Sequence, residues 1–150
     1  MGSDYLYQIA DQFTGIAGIK AVYCGDGDGA DVKPLPDVLE TPCIVVVDGE
    51  QSITAASWER QTMKPEARVY VSRQGRGLGQ AYETARSYKT ALLAAVRDAS
   101  GVTGVTSFVP LRFRSVEDTE WPAASGNWYF VLALECEAKL SHAVTYTAPQ

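Results

Sequence analysis

The chain has 150 residues, which is the length of one domain and enough to bury a hydrophobic core. Its composition, with 46% hydrophobic and 21% charged residues and a net charge of −5, is typical of a globular protein and argues against a general binder of nucleic acid or anionic membranes. No apolar run approaches the roughly 18 to 20 residues of a membrane span, and we expect no signal peptide. The three cysteines form no CxxC pair, which favours reduced thiols in the cytoplasm.

The N-terminal segment predicts a helix followed by a strand. Apolar residues fall on one face of a helical wheel: Leu6, Ile9, Ala10 and Phe13. Residues 19–24 then read as a short strand, and the Asp-, Gly- and Pro-rich residues after them predict a loop.

Three further strands are predicted before the middle of the chain. Residues 43–47, "CIVVV", are apolar throughout, which is typical of a strand covered on both faces. Asp48-Gly49 predicts a turn, so residues 51–58 can return as the hairpin partner of that strand. Residues 66–74 alternate well enough to form the next strand.

The stretch "RQGRGLGQ" at 73–80 lies between that strand and a predicted helix, the arrangement of a phosphate-binding loop. Gln80 stands where a dinucleotide-binding motif needs its third glycine, and no Lys-Ser or Lys-Thr follows, so the motif fits neither nucleotide class. A surface loop at a helix entrance is the favoured interpretation. Arg73 and Arg76 are then candidate contacts with an acidic partner, with solvated surface arginines as the favoured alternative.

Helical spacing of apolar residues over 78–99 predicts one long amphipathic helix, ended at Ser100-Gly101. Residues 109–116 alternate as a strand that directs Leu111 and Phe113 to one side. Arg112 and Arg114 point to the other side.

The strongest signal in the chain is the last strand, residues 128–140. One face is apolar throughout, and the other is apolar at its start and charged towards its end, so the first half is predicted to be covered on both faces. One of these covers could be another subunit. The candidate core or subunit-interface residues are Trp128, Tyr129, Phe130, Val131 and Leu132.

These elements predict a single α+β domain over residues 1–150. The order is α-β-β-β-β-α-β-β, with an antiparallel-rich mixed β-sheet and two α-helices packed on one face. This order differs from the repeated βαβ units of a nucleotide-binding fold.

No catalytic, cofactor or metal site is predicted. Asp26 and Asp28 match the first two ligand positions of an EF-hand loop, but Asp31 replaces its obligatory glycine, and a solvated loop is the favoured interpretation. Whether Asp26, Asp28 and Asp31 bind a cation stays open. His142 near the end of the chain offers little material for zinc binding or for a catalytic triad, and the sequence therefore predicts a protein that is not an enzyme.

Several segments together resemble the tail terminator proteins of long-tailed bacteriophages, also called tail completion or minor tail proteins. They are the short N-terminal helix, "LPDVLETPCIVV", "AYETARSYKTALLAAVRDASGV" and "SGNWYFVLALECEAKL", and the similarity extends over nearly the whole chain.

The resemblance implies a structural role in the virion neck. Members of this family form a hexameric ring on the finished tail tube, stop its polymerisation and present the surface that joins the head. The implied partners are other copies of the chain, the tail tube protein, a head-completion or neck protein, and genomic DNA that passes through without sequence recognition. In such a ring, the candidate contacts with a partner or with DNA in the lumen are Arg73, Arg76, Arg112 and Arg114. The implied location is the host cytoplasm during assembly and then the virion, with no membrane association. The alternatives are another neck, head-completion or tube protein, or a small soluble ligand-binding domain or enzyme.

Overall fold

Three helices cover one face of an eight-stranded mixed sheet in the part of the chain that the structure describes. The structure is a computed structural model that describes residues 2–24, 32–36, 38–47, 51–53, 60–75, 77–97 and 105–141. The elements are α1 Gly2–Asp11, β1 Ala21–Tyr23, β2 Val32–Lys33, β3 Cys43–Val47, β4 Gln51–Ile53, β5 Arg60–Met63, β6 Glu66–Ser72, α2 Leu78–Arg86, α3 Lys89–Arg97, β7 Val105–Glu120 and β8 Trp128–Ser141. They form a single α+β domain, as the sequence predicts.

Strand β8 organises the sheet. It pairs with β6 and then with β5 along one edge, and with β7 along the other. From β6 the sheet continues through β3 and β1 to β2, and from β5 it continues to β4. Among the pairs of the described strands, β1–β2 and β1–β3 are parallel and the other five are antiparallel. The predicted antiparallel-rich mixed sheet is confirmed.

The alternating residues of β8 enter two separate hydrophobic cores. Phe130, Leu132 and Leu134 are buried on the face that the helices cover, which we call the helix face. Tyr129 and Val131 are buried on the opposite, outer face. Because side chains of a strand alternate between the faces of its sheet, a run that is apolar at every position needs a cover on each side.

The helix face carries the larger core. The helices contribute Ile9, Ala81, Leu92 and Val96, and the turn after α1 contributes Phe13; all five are at most 1% exposed. Full burial of each of the larger apolar side chains stabilises the fold by roughly 1.5–3 kcal/mol. Both helical segments predicted from the sequence lie on this face, in agreement with the predicted arrangement.

A smaller core on the outer face lies under the connection between β2 and β3. Leu39 of this connection is buried with Tyr70 and Tyr129, whose rings meet edge to face with centroids 5.7 Å apart. The Trp121 indole donates a hydrogen bond from Nε1 to the carbonyl oxygen of Pro36 at 3.1 Å. This bond joins the turn of the β7–β8 hairpin to the connection.

The predicted hairpin between residues 43–47 and 51–58 is wrong. Strand β3 pairs with β6, and β4 pairs with β5, which in turn pairs with the end of β8. Since β3 is buried on both faces, it needs a neighbour of similar apolar character, and β6 provides Ala67, Val69 and Val71. With the short strands β2 and β5 included, the order is α-β-β-β-β-β-β-α-α-β-β in place of the predicted α-β-β-β-β-α-β-β.

The predicted long helix over 78–99 also needs correction, because a turn at Ser87 and Tyr88 divides it into α2 and α3. The Ser87 hydroxyl donates to the Thr84 carbonyl at 2.6 Å, and the Tyr88 amide donates to the Ala85 carbonyl, three residues back, at 3.1 Å. Serine side chains that bond nearby carbonyls compete with the regular helical pattern. The apolar spacing continues across the turn, which is why it predicts one helix.

Candidate functional site

The glycine stretch forms an exposed turn between β6 and α2. Gly75 has φ +72°, a conformation that favours glycine, and Gly77 is the N-cap residue of α2 without a side-chain cap. Arg76, predicted as a partner contact, lies outside the described residues.

Arg73 is fixed at the end of β6 by two polar contacts. Its amide donates to the carbonyl of Trp128 at 2.9 Å, and its guanidinium Nη1 lies 2.6 Å from Oδ1 of Asp118. Its Nε is buried and has no hydrogen-bond partner among the described residues. The Asp118 side chain is 63% exposed, so the predicted contact residue Arg73 is paired with a carboxylate that solvent reaches.

A groove of about 460 Å³ lies beside Arg73. Its walls come from the connection before β3, the end of β6 and the turn before β8. Val38 and Trp128, which are 66% and 45% exposed, lie with the buried Leu39 and Tyr129 along it. We call this feature the Arg73 groove.

Arg112 and Arg114 take part in a cluster of ion pairs that spans three neighbouring strands. Arg112 Nε donates to Glu135 Oε1 at 2.9 Å, and Arg114 Nε donates to Glu135 Oε2 at 3.0 Å. Arg114 Nη2 also reaches Glu66 Oε1 at 2.8 Å, and Arg68 Nε donates to the same oxygen at 2.9 Å. We call these five residues the ion-pair cluster.

The ion-pair cluster changes the acidity of its members. The hydrogen bond from Arg112 holds the pKa of Glu135 below its ordinary value; burial opposes this lowering, and Arg114 adds to it. The same bond raises the pKa of Arg112. With three arginines and two glutamates the cluster retains one positive charge, so the predicted contact residues Arg112 and Arg114 are largely compensated within the chain.

The predicted interface residues of β8 fall into two groups. Tyr129, Phe130, Val131 and Leu132 are buried by the chain's own residues, so they lie in its cores. Trp128 lies at the start of the strand, outside both hydrophobic cores, and lines the Arg73 groove.

The described residues contain no group of three or more His, Cys, Asp or Glu side chains that could hold a metal ion. Asp26, Asp28, Asp31 and His142 lie outside the described residues. None of the helices in the described ranges is long and apolar enough to cross a bilayer. No protein-family model matches the chain, and no curated protein matches it.

Sequence reasoning missed Glu66, Arg68 and Asp118. Glu66 lies 48 residues from Arg114, and Asp118 lies 45 residues from Arg73, so only strand pairing brings them together. The available signal was the alternation of β6, which puts Glu66 and Arg68 on one face, but the sequence did not indicate that β6 and β7 flank β8.

Proposed function

We propose that this chain is a structural protein of a bacteriophage tail, which forms a ring on the finished tail tube. The ring stops polymerisation of the tube and provides the surface to which the head or neck joins. Genomic DNA passes through it without sequence-specific contacts. The chain assembles in the host cytoplasm and remains in the tail–neck region of the virion. The proposal rests on the resemblance of several segments to tail terminator proteins, which also suggests six copies in the ring.

The outer edge of β7 is the structural observation that supports self-association of the chain. The strand is 16 residues long and pairs along one edge with β8, while no described strand pairs with its other edge. An open edge offers unpaired backbone donors and acceptors to another chain. Val109 and Leu111 of β7 are 42% and 49% exposed, and they add apolar surface beside that edge.

The proposed ring would join β7 of one copy to a different surface of the next. The described sheet ends in β7 on one side and in the short strands β2 and β4 on the other, so its opposite sides present different surfaces. Contacts between different surfaces of successive copies are heterologous, and they close into a ring when the rotation per subunit permits.

The first test is the state of the purified protein, measured by sedimentation velocity and by negative-stain electron microscopy. We expect closed rings, and we expect Val109→Lys combined with Leu111→Lys to yield folded monomers, because charges on an edge strand oppose association. Leu78→Lys is the matched control, since Leu78 is 38% exposed and belongs to α2, which packs against β6 and β8.

The second test adds the protein to growing tail tubes of a phage whose tail genes accompany the gene for this chain. We expect the unchanged protein to give tubes of defined length. With the Val109→Lys and Leu111→Lys double variant, we expect the tubes to grow beyond that length. A protein that is monomeric both alone and with tubes, and that leaves tube length unchanged, would contradict the proposal.

A further inference from the structure

We infer that the Arg73 groove binds an acidic segment of a partner protein, in which a carboxylate side chain stands beside an apolar one. This inference rests on the proposed function for the identity of the partner as a neighbouring tail or neck protein. Its binding chemistry follows from the groove itself. The volume of about 460 Å³ lies within the range of about 300–1,000 Å³ that is usual for ligand sites.

Apolar surface and one cation meet in this groove. Val38 and Trp128 are two of the five large apolar side chains that are exposed in the described part of the chain, and both line it. Arg73 is the only charged residue among its described lining residues. A partner segment that offers one negative charge and one apolar side chain is complementary to this combination.

Arg73 has hydrogen-bonding capacity that its present partner does not use. A guanidinium has five N–H donors, whereas the described side-chain contact of Arg73 is the single pair of Nη1 with Asp118. Because Asp118 is 63% exposed, its carboxylate can turn to solvent when another carboxylate approaches. A partner's carboxylate would therefore replace Asp118 as the ion-pair partner of the Arg73 guanidinium, which is already positioned in the free protein.

The walls of the groove are fixed before any partner arrives. The Glu120 carboxylate accepts hydrogen bonds from the amides of Ala124 at 3.0 Å and Gly126 at 2.7 Å, which holds the turn before β8. The bond between Trp121 and Pro36 ties the same turn to the connection that carries Val38. A preformed groove loses little conformational freedom on binding.

A protein segment suits the groove better than DNA does. Its described lining has a single arginine, and the Asp118 carboxylate stands at that arginine, whereas nucleic-acid sites gather several cations against successive phosphates. The net charge of −5 also opposes the approach of a polyanion.

The test uses the purified full chain and an array of short, end-blocked, fluorescein-labelled peptides, in which Asp or Glu is flanked by Leu, Val or Phe. Each acidic peptide is matched by a control peptide that has Asn or Gln in place of the Asp or Glu. We expect saturable binding of acidic members by fluorescence anisotropy and at least tenfold weaker binding of their amide partners, since charged hydrogen bonds are the stronger ones.

Two variants distinguish a binding role of Arg73 from a structural one. Arg73→Gln is expected to weaken binding of acidic peptides at least tenfold. Asp118→Asn is expected to strengthen it, because it removes the competing carboxylate, and asparagine tolerates the φ of +57° at this position. If the Arg73–Asp118 pair served only to hold the fold, both variants would weaken binding alike. Arg86→Gln, at an exposed arginine of α2, is the matched control and should change nothing.

The inference is overturned if no acidic peptide binds at millimolar concentration, if acid and amide peptides bind equally, or if Asp118→Asn binds no better than the unchanged protein. Arg73-dependent binding of a DNA oligonucleotide without binding of acidic peptides would also overturn it. Peptide binding by a protein that forms no ring and caps no tube would contradict the proposed function and leave the groove assignment standing.

Discussion

Gly18 occupies a position where the structure leaves no room for a side chain. It has φ +88°, and a Cβ atom at this position would lie 2.7 Å from the hydroxyl oxygen of Tyr88. Tyr88 lies in the turn that separates α2 from α3. Gly18 therefore lets the connection after α1 approach this turn closely.

We expect Gly18→Ala to destabilise the protein by more than Gly15→Ala does. Both residues have a positive φ, at +88° and +86°, and an L-residue in this region costs about 1–2 kcal/mol. Nothing lies within 4 Å of a Cβ at Gly15, so that variant measures the backbone cost alone. The difference between the two free energies of unfolding, from urea denaturation, then reports the clash with Tyr88.

A second variant checks the cause of the difference. Tyr88→Phe removes the hydroxyl oxygen that is the nearest atom, so Gly18→Ala should cost less in that background. Equal losses of stability for the two glycine variants would show that the Tyr88 side chain moves aside without a loss of folding free energy.

At the scale of elements, the ion-pair cluster joins the three strands β6, β8 and β7 on the outer face. Glu135 of β8 accepts bonds from Arg112 and Arg114 of β7, and Arg114 continues to Glu66 of β6. Bonds that engage both oxygens of one carboxylate fix the register of the strands as well as attracting them.

The cluster predicts how stability depends on pH. The pKa of Glu135 is lower in the folded protein than its ordinary value, first because of the hydrogen bond from Arg112. Such a carboxylate stabilises the fold fully at pH values above its pKa in the unfolded chain, which is about 4.3. This stabilisation is lost as the pH falls through the pKa of the folded protein. We expect Glu135→Gln to lower the urea midpoint at pH 7 and to reduce the loss of stability on acidification below about pH 4.3.

The matched control is Glu137→Gln. Glu137 lies on the same face of β8 and makes no ion pair within the described residues, so its replacement should lower the urea midpoint at pH 7 less than Glu135→Gln does. If Glu135→Gln lost stability on acidification as steeply as the unchanged protein, the cluster would not be the source of the acid sensitivity.

At the scale of the whole molecule, the sheet separates two cores that each contain a buried thiol. Cys43 belongs to the outer-face core, and Cys24 and Cys136 belong to the helix-face core. Burial, reinforced by the charge of Glu40, raises the pKa of Cys43 to about 12. Burial, reinforced by the charge of Glu66, raises the pKa of Cys136 to about 12.

We expect the thiols of Cys43 and Cys136 to resist alkylation at pH 8 in the native protein, because the thiolate is the reactive form and buried thiols are inert. The alkylation rates of the two thiols, measured by iodoacetamide labelling and mass spectrometry, should rise together as the protein unfolds globally in urea. Val38→Cys provides an exposed thiol as the positive control. If one native thiol reacted as fast as that control, the core containing it would open independently of the other.

The sequence by itself determined the elements whose side chains repeat over many residues. The alternation of β8 predicted burial of Phe130 and Leu132 on one face and of Val131 on the other, and the structure places them there. The helical spacing that includes Leu92 likewise identified a helical segment, and the apolar "CIVVV" run identified a strand covered on both faces. Such patterns are local consequences of backbone periods of two and 3.6 residues, so the chain displays them before it folds.

Only the tertiary structure decided which elements meet. Strands of two to four residues, such as β2 and β5, are too short to show a period, and their pairing depends on neighbours elsewhere in the sheet. The bond between Arg73 and Asp118 and the groove beside it join residues far apart in the chain. Arg73 and Asp118 are close because β6 and β7 pair with opposite edges of β8. This arrangement depends on the burial of whole faces of the sheet, and no local sequence pattern indicates it.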